Sequence, residues 1–339
     1  MKKNTTIILI ITALLFQVQS LLRAGAEKVI YGDDNRVDYY AMPKNIQKIA
    51  DSVVSLWDSG NIQYNSSTAK YKVKTKKFKD ALNLCEEEPF KEQPIGAFCS
   101  GALISEDTII TAGHCITSEN KCASTYFVFG YAAKNLSDPS KVQTEFSYDD
   151  VYRCAKVIRT HVGPEPTPDN PQGIGLGPDY AIVKLDRKVV GRKPLKINTN
   201  QKLSVGMEMY VIGYPVGLPV KYADGAWVRD PSPDGYFVAN LDTYGGNSGS
   251  PVFNAKTNLI EGILVRGDND FVQTPLGCRI SNRVENNGGR GEDVTKISVL
   301  YRYLNGIVDG ILIKETERSI KITPSFDIDY SKAIKFSFD

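Results

Sequence analysis

Apolar residues occur along this chain in short runs that Gly, Pro, Asn and Asp separate. From about residue 29 onward the runs are rich in Val, Ile, Leu, Tyr and Phe, and they cover residues 52–56, 102–104, 108–111, 126–129, 151–159, 180–185, 209–212, 236–239, 251–253 and 259–265. Short runs of this composition, bounded by turn residues, predict β-strands. Regular alternation of strands with helices is absent, and so is an internal repeat. The pattern therefore favours an all-β sandwich or barrel over a parallel α/β sheet.

Three stretches depart from this pattern. Residues 161–178 are rich in Pro and Gly, which predicts a long surface loop between two halves of the chain. Residues 293–312 carry apolar side chains at roughly helical spacing, which predicts a C-terminal helix packed on the last sheet. The tail, residues 313–339, is expected to be extended, and we assign it no role.

The first 26 residues have the pattern of a secretory signal peptide. Two lysines precede an apolar run over residues 5–16, and Ala24 and Ala26 have the spacing that signal peptidase accepts, with a cut after Ser20 as the alternative. The run is too short to cross the ~30 Å hydrocarbon core of a bilayer as a helix. We therefore expect a secreted or periplasmic protein that makes no membrane contact once the signal is removed.

Composition and charge argue against one class of partner. The 339 residues are 42% hydrophobic and 24% charged, which is typical of a globular protein. The formal net charge of +2 becomes −1 without residues 1–26, because these contain three basic residues and no acidic one. A nucleic-acid partner held by bulk positive charge is therefore not expected.

Histidine and cysteine usage argues against a metal centre. The chain has only two histidines, and its six cysteines are scattered rather than paired as CxxC, so no zinc or haem-attachment motif is present. We expect neither a metal nor another cofactor. An even number of cysteines in an exported chain favours disulfide bonds, with buried free thiols as the alternative.

Three segments carry residues that can perform nucleophilic catalysis. In chain order they are Thr-Ala-Gly-His-Cys at 111–115, Asp-Tyr-Ala-Ile-Val-Lys-Leu at 179–185 and Gly-Gly-Asn-Ser-Gly-Ser-Pro at 245–251. A serine hydroxyl needs an imidazole to take its proton, and the imidazole needs a carboxylate to orient it. His114, Asp179 and Ser248 can supply these groups. Each segment alone also fits an ordinary turn or strand end, so the indication comes from their combination.

The glycines around Ser248 suggest a second catalytic feature. Glycine lets the backbone turn tightly and approach a substrate closely. The N–H groups of Gly246 and Ser248 are then expected to point at one spot, where the negative charge of an acyl-transfer intermediate develops. This spot is the predicted oxyanion hole.

Together, the histidine and serine motifs resemble those of the chymotrypsin-like (trypsin-like) serine peptidases, over roughly residues 29–312. The bacterial glutamyl-endopeptidase branch is the most similar. The similarity rests on Val29-Ile30 with Asp34 and Arg36, on Val-Ile-Gly-Tyr-Pro at 211–215, and on Gly-Gly-Asn-Ser-Gly-Ser-Pro-Val-Phe-Asn at 245–254.

This resemblance implies an all-β fold of two six-stranded antiparallel β-barrels, with the active site in the cleft between them. Within a peptidase domain over residues 27–312, the first barrel is expected over residues 27–185, the second over 186–292 and the helix over 293–312. It also implies a disulfide between Cys99 and Cys115. For the other cysteines we expect the pairs Cys122–Cys154 and Cys85–Cys278.

The implied substrate pocket, formed by Asp242, Thr243, Leu264 and Arg266, departs from the glutamyl branch. That branch has a histidine at the position of Leu264, so a preference for glutamate is not expected. Asp242 matches the place where trypsin-like members hold the carboxylate that pairs with a substrate Lys or Arg. A solvated Asp242 in a turn is the alternative, and Arg266 at the rim would neutralise the carboxylate. Asn247 replaces the aspartate that receives the freed N-terminus in trypsin-like members.

The sequence thus predicts a secreted serine endopeptidase. It would cleave protein or peptide substrates through an acyl-enzyme intermediate, with Lys or Arg before the cut as the hypothesis for specificity. The alternative is a protease-fold binding protein or toxin with a latent triad. An esterase using the same triad is a further rival, although a G-x-S-x-G elbow is absent.

Overall fold

The computed structural model of the protein describes residues 29–164 and 175–310. The expected signal peptide, the tail and the middle of the Pro/Gly-rich loop lie outside the described residues. Within these ranges, no helix is long and apolar enough to span a membrane.

Most of the regular structure is β-sheet. The strands are β1 (Ile30–Tyr31), β2 (Val37–Asp38), β3 (Val53–Asp58), β4 (Ile62–Asn65), β5 (Lys70–Val73), β6 (Lys76–Lys77), β7 (Pro94–Ile95), β8 (Cys99–Leu103), β9 (Thr108–Thr111), β10 (Thr125–Phe129), β11 (Glu145–Phe146), β12 (Val151–Val162), β13 (Asp179–Leu185), β14 (Glu208–Gly213), β15 (Lys221–Asp230), β16 (Tyr236–Ala239), β17 (Pro251–Asn254), β18 (Ile260–Arg266), β19 (Phe271–Gln273), β20 (Arg279–Ser281), β21 (Arg283–Val284) and β22 (Glu292–Lys296).

The helices are short. They are α1 (Lys44–Ala50), α2 (Phe78–Leu82), α3 (Glu119–Ala123) and α4 (Tyr301–Leu304), with 3-10 turns at Tyr39–Ala41, Ser59–Asn61, Tyr148–Asp150, Pro215–Gly217 and Ile297–Leu300.

The first barrel is a closed ring of six strands in the order β10-β12-β13-β9-β8-β3. Its strands are rich in β-branched and aromatic residues, which pack well on a pleated surface. Every residue of β8 and β9 is buried. The apolar cluster of this barrel continues into β14, β17 and β18 of the second half, so the two halves share one packed boundary.

The second barrel is a ring in the order β14-β17-β18-β22-β16-β15, which the pairing of β14 with β15 closes. Its interior contains an apolar cluster that includes Met209, Val228, Phe237, Leu264 and Val294. All pairings between consecutive strands of both rings are antiparallel. The predicted fold of two six-stranded antiparallel barrels is therefore confirmed.

Two predictions about the ends of the domain were wrong. Residues 293–296 are strand rather than helix, because they belong to β22, which pairs with both β16 and β18 and without which the second ring cannot close. Helical turns are confined to residues 297–304 within the predicted 293–312. At the other end, β2 pairs with β15 and β1 with β21, so residues 30–38 belong with the second barrel rather than the first.

A buried charge anchors β2 to β15. The Lys221 ammonium lies 2.7 Å from Asp38 Oδ1 and 2.8 Å from Gln93 Oε1, and the Gln93 amide donates to Asp38 Oδ2 at 2.8 Å. Burial lowers the pKa of Lys221 to about 8, although the neighbouring Asp38 carboxylate opposes this effect. Each charged atom has a partner, which is the condition for tolerating such a pair inside a protein.

Three disulfides link distant parts of the chain: Cys85–Cys278, Cys99–Cys115 and Cys122–Cys154. These are the pairs that we expected from the sequence. Cys99–Cys115 ties β8 to the residue that follows His114. Cys85–Cys278 ties the segment after α2 to the loop between β19 and β20.

Candidate active site

His114 lies in the turn that follows β9, opposite the first residue of β13. Its Nδ1 is 2.7 Å from Asp179 Oδ2. The other carboxylate oxygen of Asp179 accepts the backbone N–H of Gly113 at 2.6 Å and that of His114 at 3.2 Å. One buried carboxylate therefore orients both the imidazole and the turn that carries it, while the histidine side chain remains 32% exposed.

The electrostatic surroundings keep Asp179 ionised. Burial raises the pKa of this carboxyl, but the charge and hydrogen bonds of His114 and the more distant charge of Arg266 outweigh burial and leave the pKa below its usual value. An ionised carboxylate only accepts hydrogen bonds, so His114 Nδ1 must be the donor. The second ring nitrogen, Nε2, is then available to accept a proton.

Thr295 on β22 holds the backbone of Asp179 from the second barrel. Its hydroxyl accepts the Asp179 N–H at 2.9 Å and donates to the Asp179 carbonyl at 2.8 Å. Thr295 is completely buried. The sequence pattern did not indicate Thr295, because it predicted a helix at this position.

Ser248 lies in the turn before β17, where it faces the first barrel. Its carbonyl accepts the N–H of Ser100 at 2.8 Å and lies 3.6 Å from Cys115 Sγ. Since Cys115 follows His114 directly, the structure brings the backbone of Ser248 against the turn that carries the histidine. The backbone of Ser248 therefore lies close to the turn of His114, at the boundary between the barrels.

Two glycines of this turn have conformations that other residues rarely adopt. Gly246 has φ +78° and Gly249 has φ +90°. A Cβ on Gly246 would lie 2.8 Å from the Tyr214 carbonyl oxygen, and a Cβ on Gly249 would lie 2.0 Å from that of Ser100. Both positions therefore require glycine, for conformation and for space.

The predicted pocket residue Asp242 does not face an open pocket. Its Oδ1 accepts the N–H of Tyr31 at 2.7 Å, and its Oδ2 lies 3.4 Å from the N–H of Asn35. Burial raises the pKa of Asp242 to about 7, against the opposing effect of these two N–H groups. The alternative of a solvated turn is also wrong, because Asp242 is buried beneath residues 31–35.

The other predicted pocket residues have different neighbours than expected. Leu264 is fully buried in the second core, and its carbonyl accepts the N–H of Gly249 at 2.8 Å. Arg266 does not contact Asp242. It donates to Asp293 at 3.0 Å and to the Gly177 carbonyl at 2.7 Å, so its charge is neutralised elsewhere.

Thr243 contacts the carboxylate of Glu292, which the sequence pattern did not indicate. Its hydroxyl donates to Glu292 at 3.1 Å, and the Val29 N–H and the Tyr31 hydroxyl lie 3.4 and 3.5 Å from the other oxygen of this carboxylate. A Cβ on Gly267 would lie 2.1 Å from Glu292 Oε2, so the carboxylate also borders the segment after β18. No local motif marks Glu292. Only the pairing of β22 with β16 and β18 brings it here.

One group of described residues has the spacing of a metal site, but its chemistry does not fit. Cys99, His114 and Cys115 have potential ligand atoms within 4.8 Å of one another. The two sulfur atoms are joined in a disulfide. Neither is therefore a thiolate, which is the form of cysteine that binds metals.

Comparisons with known proteins identify related sequences. A family model described as a trypsin-like peptidase domain matches residues 99–263, a range that contains His114, Asp179 and Ser248. The protein named glutamyl endopeptidase from Staphylococcus aureus (strain MW2) is 28% identical over 177 residues, which cover 50% of this chain and 47% of the relative. The chain thus spans about half the length of this relative.

A second relative covers more of the chain. The protein named extracellular metalloprotease from Bacillus subtilis (strain 168) is 25% identical over 266 residues, or 77% of this chain and 74% of the relative. Among solved structures, that of a Glu endopeptidase in complex with MPD is 15% identical, with a TM-score of 0.43 over 82% of this chain and 99% of that chain.

Proposed function

We propose that the chain is a chymotrypsin-like serine endopeptidase, related to the glutamyl endopeptidases, and that it cleaves peptide bonds through an acyl-enzyme formed on Ser248. The observation that carries this proposal is the 2.7 Å contact of His114 with Asp179, in a turn against which the Ser248 backbone packs. A base, its orienting carboxylate and a hydroxyl nucleophile are the groups that acyl transfer requires.

In the first half of the reaction, Ser248 Oγ attacks the substrate carbonyl carbon while His114 Nε2 takes the hydroxyl proton. The imidazolium that forms is stabilised by Asp179, which keeps its own charge. His114 then gives the proton to the leaving amine, the C–N bond breaks, and the acyl group remains on Ser248. A water molecule, activated by the same imidazole, releases the acid and restores the serine.

The N–H groups of Gly246 and Ser248 are proposed to bind the oxyanion of the tetrahedral intermediate. Donors held in place before the reaction need no reorganisation as charge develops, and losing one typically costs about 10²- to 10³-fold in rate. The glycines at 246 and 249 support this assignment, because they allow the tight turn on which both donors lie.

Labelling with a fluorophosphonate tests the nucleophile. The protein should be modified at Ser248, and Ser248→Ala should fold normally, resist labelling and lose peptide turnover. Ser250→Ala is the matched control, since Ser250 is a buried serine two residues away whose hydroxyl contacts Asn247. A folded wild-type protein that is neither labelled nor active would instead support the latent-triad binding protein.

For specificity we propose a preference for Lys or Arg before the cut. The buried carboxylate of Glu292 contacts Thr243, one of the predicted pocket residues, and the guanidinium of Arg266 is paired with Asp293 instead of Glu292. The Val29 N–H and the Tyr31 hydroxyl lie 3.4 and 3.5 Å from Glu292 Oε1, so a substrate cation would compete with these two long contacts for the same oxygen.

Peptides that differ only in the residue before the cut test this preference. Lys and Arg peptides should have the highest kcat/KM, and Glu292→Gln should reduce their advantage over a Gln peptide by at least about tenfold, the cost of one charge-assisted hydrogen bond. Lys188→Gln, which removes the charge of a surface lysine, is the control. A wild-type preference for Glu or an aromatic residue would reject the proposed specificity.

We also propose that the protein is exported. The support comes from the predicted signal peptide, the three disulfides and the word extracellular in the name of the Bacillus relative. N-terminal sequencing of protein purified from the medium or periplasm should show a start within the first 30 residues rather than at Met1.

A further inference from the structure

Ser100 is the side chain of the first barrel that contacts the Gly246 carbonyl. It lies on β8 and is completely buried. Its hydroxyl donates to the Gly246 carbonyl at 2.9 Å and accepts the Tyr214 N–H at 3.0 Å. Its own N–H donates to the Ser248 carbonyl at 2.8 Å. One residue of the first barrel thus holds two carbonyls of the nucleophile turn and the end of β14.

The turn needs such a constraint because of Gly246 itself. A Cβ would not fit at this position, so the residue must be glycine. Glycine, however, has the greatest backbone freedom of all residues. The direction of the Gly246 N–H is therefore set by whatever holds the two peptide groups on either side of it.

The structure holds both of these peptide groups through their carbonyls. The Gly245 carbonyl accepts the Val216 N–H at 2.5 Å, and the Gly246 carbonyl accepts the Ser100 hydroxyl. In a trans peptide the carbonyl and the N–H point in opposite directions. Fixing the Gly245 carbonyl therefore aims the Gly246 N–H, and fixing the Gly246 carbonyl keeps the glycine from rotating away.

The donor Val216 is itself in a strained conformation. It has φ +46°, which is a genuine outlier for a β-branched residue. Such strain persists where the surrounding structure imposes it, and it clusters at functional sites. The Ser100 hydroxyl accepts the Tyr214 N–H at the start of the turn that contains Val216. It also donates to the Gly246 carbonyl, so one hydroxyl contacts both the strained turn and the nucleophile turn.

We propose that Ser100 is a positioning residue, whose hydroxyl keeps the oxyanion hole assembled by bridging the Tyr214 N–H and the Gly246 carbonyl. The proposal rests on the oxyanion role that we propose for Gly246. Ser100 does not touch the reacting atoms. It acts through the nucleophile turn, so its removal should weaken the binding of the transition state more than that of the substrate.

The chain offers a matched control for the test. Ser55 on β3 is directly opposite Ser100 in the antiparallel pair β3–β8. It is also completely buried, and its hydroxyl likewise makes two bonds, donating to the Val128 carbonyl at 2.7 Å and accepting from Trp57 at 2.9 Å. None of these partners belongs to the nucleophile turn. The Ser55 hydroxyl also contacts the Tyr214 side chain, but it takes part in none of the bonds that Ser100 makes. Ser55→Ala therefore removes the same atoms from the same barrel and leaves those bonds in place.

The experiment compares kcat and KM of wild type, Ser100→Ala and Ser55→Ala, at a temperature where thermal unfolding shows all three to be folded. For Ser100→Ala we expect kcat to fall about 10- to 100-fold, with KM changed less than about threefold. A misaligned N–H donor still stabilises the oxyanion in part, so the loss should be smaller than the one caused by removing the donor. Inhibition by a peptide boronic acid, which forms a tetrahedral adduct, should weaken by a similar factor. Ser55→Ala should keep wild-type values for all three quantities.

Equal kcat values for the two variants, or a loss in Ser100→Ala that appears only in KM, would overturn the proposal. If Ser100→Ala does not fold, Ser100→Cys provides a weaker donor of similar volume and should show a smaller drop in kcat with the same unchanged KM. Failure of the proposed function can be told apart from failure of the Ser100 proposal, because in the first case the wild-type protein would not be labelled by the fluorophosphonate.

Discussion

Asp179 contacts His114 twice, at the ring and at the backbone. One carboxylate oxygen is 2.7 Å from Nδ1 of the ring, and the other is 3.2 Å from the backbone nitrogen of the same residue. The carboxylate thus determines both which ring nitrogen carries the proton and where the ring lies.

The substitution Asp179→Asn should lower kcat by about 10³- to 10⁴-fold while leaving the fold intact. An amide group at this position can donate to Nδ1, which favours the tautomer whose Nε2 carries the proton and cannot act as a base. Steady-state kinetics would measure the loss, and circular dichroism would verify the fold. An Asn variant within tenfold of wild type would contradict the assigned role.

The substitution Thr295→Val should lower kcat about tenfold, because it keeps the shape of the side chain but leaves the buried N–H and carbonyl of Asp179 without their bridge. Thr125→Val is the control, since Thr125 is also fully buried and its hydroxyl bonds to the Lys121 carbonyl, away from the site. Thermal unfolding should show both variants destabilised. A loss of kcat in both variants alike would assign Thr295 a purely structural role.

Asp242 should make the protein less stable as the pH rises from about 4 to 7. With a pKa of about 7 in the folded protein, Asp242 still holds a proton in this range, whereas in the unfolded chain it has lost the proton. The free energy of unfolding therefore falls with rising pH, by on the order of 4 kcal/mol in total, and this contribution levels off above pH 7.

Urea unfolding at pH 5, 6, 7 and 8 tests this dependence. Asp242→Asn does not titrate, so the difference in unfolding free energy between wild type and variant should shift in favour of the variant from pH 5 to pH 8. Asp33→Asn, which changes an exposed aspartate of the neighbouring loop, should leave the slope unchanged. A constant difference between wild type and Asp242→Asn would refute the raised pKa.

The substitution Lys221→Met should lower the free energy of unfolding by about 3–5 kcal/mol, because it leaves the buried carboxylate of Asp38 without its cation. Lys77→Ala removes one member of an exposed pair, in which Lys77 and Glu92 are 47% and 49% exposed, and should cause no measurable change. Denaturant unfolding of both variants compares the two pairs. Equal losses of unfolding free energy in the two variants would mean that burial does not determine how much each charge pair contributes to stability.

The sequence predicted well those features that depend on neighbouring residues. Short β-rich runs such as the one at 108–111 matched strands such as β9, and the glycines around Ser248 predicted a turn that the structure contains. The histidine and serine motifs indicated a trypsin-like peptidase for the same reason, since each motif lies within a few residues, and a family model of that description matches residues 99–263.

The features that were predicted wrongly depend on contacts between residues far apart in the chain. Residues 293–296 fit a helical pattern, but β22 is required to close a ring of strands that its own sequence does not reveal. Asp242 was predicted to face substrate, yet residues 31–35, more than 200 positions earlier, cover it. Ser100 and Thr295 were missed because a buried serine or threonine carries no signal until its partners are known.

The bond between Asp38 and Lys221 joins residues 183 positions apart, which has a consequence for synthesis on the ribosome. At about 5 to 20 residues per second, the nascent aspartate waits roughly 10 to 40 s for its lysine, while all strands of the first barrel have already been translated. His114 and Asp179 are therefore made before Lys221, and Ser248 follows it, so a nascent chain shorter than 248 residues lacks the proposed nucleophile.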